Sequence, residues 1–300
     1  VLYNPISGRG IACQLAGEIS KALLQAQVDV EFLPTEAGDP KQWLAPKLET
    51  KPDAVVAVGG DGTIRHVASA LLDSGIPVYH AASGTENLFA KSMSMSSTPV
   101  DVIAAVLDGE SSVIDTATAN GSFMLLMASV GFDAEVVADL SNHRGASITH
   151  FSYVMPCIRQ FLCWNPPVIS IQVDGQDMVT QQRGWAVVAN SNAYARGLNP
   201  ARDADITDGL LDAVFLPVTG RLRFLQWVRR LRSGNHLQHP EALCLRGARV
   251  QVQTQSSAIW QIDGDPVGES TEMEIVCNAG SLRVLQKSIA VDDSASNSSD

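Results

Sequence analysis

The sequence predicts an α/β domain followed by a β-rich, antiparallel sandwich-like domain, and three observations carry the prediction. In the first third, short apolar runs alternate with segments of helical period, as in a parallel sheet covered by helices on both faces. Beyond about residue 117, alternating apolar and polar positions run into Asp-Gly pairs, as in antiparallel hairpins. The chain has 300 residues, 45% of them hydrophobic, about twice the usual ~150-residue domain and enough for two cores.

Taken in order, "VLY" at 1–3 predicts a strand, and Leu15, Ile19 and Leu23 mark the helix after it. "VEFL" at 30–33 predicts a second strand, followed by a polar stretch punctuated by prolines. "AVVAV" at 54–58 predicts a buried strand, and Ile64, Val67, Ala68 and Leu71 then fall at i, i+3, i+4 and i+7, one face of a helix. "IPVYHAA" at 76–82 predicts a further strand, and Val100, Ile103, Ala104 and Leu107 mark a further helix. These elements make up the first domain, 1–116. In the second, 117–277, Ile169, Ile171 and Val173 alternate into Asp174-Gly175, Val250 alternates with Val252, and a second Asp-Gly stands at 263–264. Helices are expected near 147–163 and 221–232. A last strand within 278–290 is expected to return to the first domain, and the polar tail 291–300 to be disordered.

The formal charge of −11 and the lack of a basic run longer than "VRRLR" at 228–232 argue against nucleic acid as a partner. Cys13, Cys157, Cys163, Cys244 and Cys277 show no metal-type spacing and are odd in number, so reduced thiols are expected. The longest strongly apolar run, 123–132, falls short of the ~20 residues of a membrane-spanning helix. A cytoplasmic location is expected, with a targeting segment ahead of Val1 left open.

The functional signal is "GGDGT" at 59–63, a glycine turn at the end of a buried strand and the head of a helix, where α/β sheets bind phosphates. Glycines let ligand oxygens approach the backbone. A carboxylate on such a loop repels phosphate unless a metal ion or a hydroxyl proton stands between them, and a kinase supplies both. The plain alternative is a tight turn in which Asp61 caps the helix. No G-x-x-x-x-G-K-[ST] loop is present.

"GGDGT" resembles the shared signature of diacylglycerol, sphingosine and NAD kinases. "NPISGRG" at 4–10, "PTEAGD" at 34–39 and "SGTENLFAK" at 83–91 are similar to segments of bacterial diacylglycerol-kinase-like lipid kinases. The resemblance implies ATP as phosphoryl donor, Mg²⁺, and a lipid alcohol as acceptor, with the active site in the interdomain cleft. It implies nucleotide contacts from Asn4, Pro5, Ser7, Gly8, Thr35, Gly60, Asp61, Gly62, Thr63, Thr85 and Asn87. Asp61 would act through Mg²⁺, and Asp115 in "SSVIDTA" resembles an acidic position near the active-site metals. "DADITDGLLDAVFL" at 203–216 resembles a segment in which Asp208 and the main-chain oxygens of Asp205 and Leu210 hold a structural metal; a plain Asp-Gly turn stays open there.

"WQIDGDPVG" at 260–268 resembles the family's D-G-E segment, which places Asp265 where a Glu is the general base. Asp is shorter by one bond of about 1.5 Å. Arg65 and His66 stand where Asn-Glu is usual, and Leu88 where Asp is usual. Arg65 is expected to face water, a phosphate contact being the other reading. The His236 and His239 of "SGNHLQHP" are expected to be structural. "FLCWNPP" at 161–167 is expected to form a buried corner, with transient contact at a membrane surface as the other reading. The function expected is an ATP- and Mg²⁺-dependent lipid kinase. Two alternatives stand beside it: a catalytically impaired nucleotide- or lipid-binding member, and an NAD kinase-like kinase of a soluble substrate.

Overall fold

A computed structural model describes residues 1–142, 154–194 and 197–286. The first part alternates strands and helices: β1 (Leu2–Tyr3), α1 (Ile11–Gln25), β2 (Leu33–Pro34), α2 (Pro40–Leu48), β3 (Val55–Gly59), α3 (Asp61–Leu71), β4 (Val78–Ala82), α4 (Leu88–Ser92) and α5 (Pro99–Asp108). Next come β5 (Glu110–Ala119), β6 (Ser122–Met124), β7 (Met127–Val130), α6 (Phe132–Asn142) and α7 (Val154–Cys163). The chain continues through β8 (Val168–Val173), β9 (Gln176–Ala189), β10 (Leu211–Pro217), α8 (Arg221–Ser233), β11 (Leu243–Gly247), β12 (Arg249–Ile262) and β13 (Asp265–Gln286).

The strands β2, β1, β3 and β4 pair in parallel in that order. Helix α1 packs against α5, and α2 against α3. The α3 stripe Ile64, Val67, Ala68 and Leu71 is fully buried, as its spacing predicts. Beyond β5 the sheet is antiparallel: β9 pairs with β8, β7 and β10, and β12 with β8, β7 and β13. This gives the α/β domain and the β-rich domain expected.

Strand alternation feeds two separate cores. Leu211, Ala213 and Phe215 of β10 face a core shared with Val250 and Val252, while Val214 and Leu216 on its other face join a core that runs into the first domain. A strand buried on both faces presents a continuous apolar run. β13 links the two parts. Its first half pairs with β12, and Leu282–Gln286 lies against β5 and, at Val284, parallel to Val78 of β4.

Several elements differ from the expectations. The 30–33 strand shrinks to Leu33–Pro34. The proline-punctuated stretch is a helix: Asp39 caps α2 by accepting from the Lys41 amide, and Pro40 sits where no intrahelical N–H is needed. Helix α5 forms, yet it buries Val102 and Ala105, whereas Val100 and Leu107 of the marking stripe are exposed. That helix is apolar on several sides, so spacing alone does not choose its inner face. Helix α6 follows β7 with only Gly131 between, at φ +127, and the apolar run at 123–132 hides the boundary. Of the helix expected at 147–163, residues 147–153 lie outside the described residues, as do 287–290 and the tail. All five cysteines are free.

Candidate active site

Three strand-to-helix loops converge at the carboxyl ends of β1, β3 and β4. Asn4 ties two of them together: its amide donates to the Val58 carbonyl (3.0 Å) and its Nδ2 to Thr63 Oγ1 (3.1 Å). The Ser83 amide donates to the Gly59 carbonyl at 2.8 Å. His80 Nε2 lies 3.0 Å from the same oxygen and must be its protonated nitrogen, because a carbonyl only accepts. Burial pushes the His80 pKa down, against the pull of Asp61 and of the Gly59 carbonyl. Thr35 closes the row, donating its amide to the Tyr3 carbonyl at 2.8 Å.

The loops approach too closely for side chains. A Cβ on Gly84 would stand 2.6 Å from Gly60 Cα, and one on Gly8, whose φ is +58, would stand 2.8 Å from the Ser83 carbonyl oxygen. Asn87, at φ +54, locks the third loop by accepting from the Gly84 amide (2.8 Å) and donating to its carbonyl (3.1 Å). Gly60 is the N-cap of α3 and offers no capping side chain; the Thr63 and Ile64 amides donate to its carbonyl at 2.9 and 3.2 Å, which leaves the amides of Asp61 and Gly62 at the open end of the helix. They are oriented as in anion-binding helix termini. Thr63 is buried with its hydroxyl on Asn4, so its part is to hold the loop.

Asp61, Gly62, Thr85 and Leu88 form one wall of a cleft of about 710 Å³. Asp263, Gly264 and Asp265, at the β12–β13 turn, form the facing wall. The remainder is largely apolar, with Leu126, Met127, Phe132, Phe161, Phe224 and Leu231 among its lining residues. Asp61 Oδ1 accepts the Phe89 amide at 3.1 Å, holding α4 against the head of α3.

Arg65 contradicts its expected place in water. Its side chain is 21% exposed and crosses the cleft: Nη1 lies 3.1 Å from Asp265 Oδ2, and Nε lies 3.5 Å from Asp263 Oδ2. Asp263 also accepts the amides of Leu125, Leu126 and Met127 at 2.7, 2.7 and 2.9 Å. Burial pushes its carboxyl above the usual range, while Arg65 and the three amides pull it back.

Another carboxylate, Asp133 on α6, sits half-buried in the lining of the cleft. It accepts from Ser129 Oγ (2.6 Å), Trp185 Nε1 (2.8 Å) and the Tyr194 hydroxyl (2.8 Å). Burial pushes its pKa up, against those three donors. Gln261 extends the network, donating to Ser129 Oγ (2.8 Å) and accepting the Gly264 amide (2.8 Å) next to Asp265. Neither Asp133 nor Asp263 stood out as a site residue in the sequence. The first directly follows an apolar run and the second lies in an ordinary hairpin turn, and most of the donors that make them special come from distant parts of the chain.

Two expected roles do not fit the geometry. Asp115 is 2% exposed, its carboxylate taken by the amides of Gly209 (2.6 Å) and Gly280 (2.7 Å), and it does not line the cleft. For the structural metal, Asp208 Oδ1 accepts the Leu210 amide at 3.0 Å and Oδ2 faces Arg246 Nη1 at 3.6 Å. Asp205 Oδ1 accepts from the Thr207 amide and hydroxyl, and its main-chain oxygen accepts the Asp208 amide at 3.5 Å. A guanidinium supplies the positive charge that the metal would bring, so this segment does not fit a bound cation. No group of three or more His, Cys, Asp or Glu among the described residues has metal-site geometry. A Mg²⁺ carried by nucleotide phosphates needs only one or two protein carboxylates, and Asp61 fits that role.

His236 is buried on the Pro200 carbonyl (2.7 Å) and His239 packs edge-on to Trp227, both structural. Phe161 and Trp164 pack half-buried against Phe224, while Leu162 (54%) and Cys163 are exposed, so the buried corner expected forms only in part.

Residues 1–119 match the Diacylglycerol kinase catalytic domain, and residues 127–286 match the YegS C-terminal NAD kinase beta sandwich-like domain. The chain belongs to the diacylglycerol kinase family of lipid kinases. A diacylglycerol kinase of Mycobacterium tuberculosis is 27% identical to this lipid kinase, over 88% of this chain and 87% of its own. One of Bacillus subtilis is 23% identical over 88% of each. Among solved structures, a diacylglycerol kinase of Bacillus anthracis superposes with a TM-score of 0.68 at 17% identity, covering 95% of this lipid kinase and 94% of its own chain. An NAD kinase of Archaeoglobus fulgidus in complex with ATP superposes with a TM-score of 0.52 at 16% identity, covering 90% and 89%. Both structures share the fold of this lipid kinase.

Proposed function

We propose that this kinase transfers the γ-phosphoryl group of ATP to a hydroxyl of a lipid such as diacylglycerol or a related lipid alcohol. The observation that carries this reading is the cleft itself. It joins the glycine loops to a largely apolar cavity of about 710 Å³, with Asp61 on the loop side and Asp263 and Asp265 at the β12–β13 turn. A soluble dinucleotide would need polar partners where this wall offers Phe132, Phe161, Phe224 and Leu231.

The amides at the head of α3 and the loops at Ser7–Gly8 and Gly84–Asn87 hold the triphosphate. Asp61 would hold a Mg²⁺ brought by ATP, and that ion would neutralise charge on the transferring group. Asp265 accepts the proton of the lipid hydroxyl as its oxygen bonds to the γ-phosphorus. The bond from that phosphorus to the bridging oxygen breaks, and ADP leaves with the electron pair. Arg65 fixes Asp265 from across the cleft and so compensates for its shorter reach.

The reading is tested by incubating the protein with labelled ATP, Mg²⁺ and a panel of detergent-dispersed lipid alcohols together with NAD, then identifying products by mass. Label on a lipid hydroxyl, lost on chelating Mg²⁺, is the expected result. Label on NAD alone would overturn it.

A further inference from the structure

Helices α7 and α8, which flank the cleft, leave apolar side chains in solvent. Val154, Met155, Ile158 and Leu162 of α7 are 42, 62, 49 and 54% exposed, and Leu222 and Leu225 of α8 are 79 and 48% exposed. On α7 these positions repeat at helical spacing along one stripe, of which Ile158 and Leu162 also line the mouth of the cleft together with Cys157, Phe161 and, on α8, Leu225. The two helices are tied together by Arg221, which donates to the Leu162 carbonyl, and by packing of Phe161 on Phe224.

The charge of this face is opposite to that of the molecule. The chain carries 32 Asp and Glu against 21 Lys and Arg, yet residues 154–173 and 213–240 contain no Asp or Glu. Helix α8 has five arginines in 13 residues. Leu222, Leu225, Arg229 and Arg232 fall at i, i+3, i+7 and i+10, so apolar and cationic side chains share one exposed stripe. Arg223 is bonded to Glu241 and lies over Trp227, whereas Arg229 and Arg232 point to solvent.

The face is also continuous with the cleft. A second cavity of about 730 Å³ opens between α7 and α8 and includes Arg221, Leu222 and Arg223. Phe132, Phe161 and Phe224 line both cavities. An apolar path therefore runs from the exposed stripes to the carboxylates of the active site. A soluble partner protein would not need this opening, but a lipid leaving a bilayer would.

We infer that α7 and α8 form a docking face for an anionic lipid bilayer, with Met155, Ile158, Leu162 and Leu222 entering the headgroup layer and Arg229 and Arg232 contacting lipid phosphates. This inference rests on the lipid-kinase reading, since it explains how an acidic protein meets a membrane-resident acceptor. The attraction is local: two arginines at ~1 kcal/mol each near an anionic surface correspond to roughly 30-fold in binding.

The test is co-sedimentation, without ATP, with vesicles of phosphatidylcholine alone or mixed with phosphatidylglycerol. The wild-type protein should bind the mixed vesicles preferentially and release them as salt is raised. R229E/R232E should lower that binding by at least roughly 30-fold. M155S/L222S should weaken it while leaving the salt dependence in place. Both variants should phosphorylate a lipid dispersed in detergent micelles at the wild-type rate. Equal binding to both vesicle types, wild-type binding by R229E/R232E, or self-association that M155S/L222S abolishes would overturn the inference. Absence of micellar turnover in the wild-type protein would instead count against the kinase reading, with vesicle binding unaffected.

Discussion

Arg65 carries the most specific local chemistry in the molecule. Its planar guanidinium reaches two carboxylates at once and also lies 3.4 and 3.5 Å from the carbonyls of Phe123 and Ile262, an arrangement that a lysine cannot reproduce. Removing it leaves Asp263, 2% exposed in its side chain, with three amides and no counter-charge. Arg65→Ala should therefore cost about 3 kcal/mol of stability, read as a lowered urea midpoint. It should also cut kcat by on the order of 10²-fold, because Asp265 loses the group that positions it. Arg65→Lys should restore part of the stability and little of the kcat. A variant as stable and as active as wild type would remove Arg65 from this account. The partner carboxylates lie about 200 residues further on, and no local pattern announces such a pair, so the sequence favoured water for Arg65.

The helices and loops around the glycine turn depend on close backbone approach more than on side-chain contacts. Gly84→Ala puts a methyl group 2.6 Å from Gly60 Cα, and backbone rather than a flexible side chain has to move. The expected outcome is a loss of nucleotide affinity of roughly 10-fold or more, since the phosphate-facing amides shift together. Calorimetric titration with ATP checks it, and unchanged affinity would show that the two loops are not one binding unit. Elements of this kind were largely legible. "AVVAV" and the α3 stripe were readable because a buried strand, a glycine turn and a 3.6-residue period follow one another without ambiguity. Helix α2 was not, because Pro40 and Pro46 suggest an irregular segment, whereas Pro40 in fact occupies the first helical turn. Helix α6 was hidden by the unbroken apolar character of β7 before it. The site was legible as a set of glycine and Asp positions near one cleft. The hydrogen-bonded network of Asp133, Tyr194 and Gln261 was not, since its members are separated by up to 128 residues.

At the scale of the whole molecule, one strand ties the chemistry together. β13 begins at Asp265 in the cleft and ends beside β4, the strand that delivers the Gly84 loop. Arg65 spans the same gap from α3, so Asp265 and the glycine loops are joined by a strand and by an ion pair. Phosphoryl transfer makes little covalent demand on a protein, so in the proposed mechanism catalysis rests on this fixed spacing. The two-domain arrangement could be read from the change in texture near residue 117, but the continuity of β13 through both domains requires the observed pairing. The most direct measurement of the central claim is single-turnover transfer from ATP to a micellar lipid alcohol by Asp265→Asn, which removes the proton acceptor and keeps the side-chain volume. The account predicts a rate lower by about 10²- to 10⁴-fold with ATP affinity retained. Transfer at the wild-type rate would contradict it.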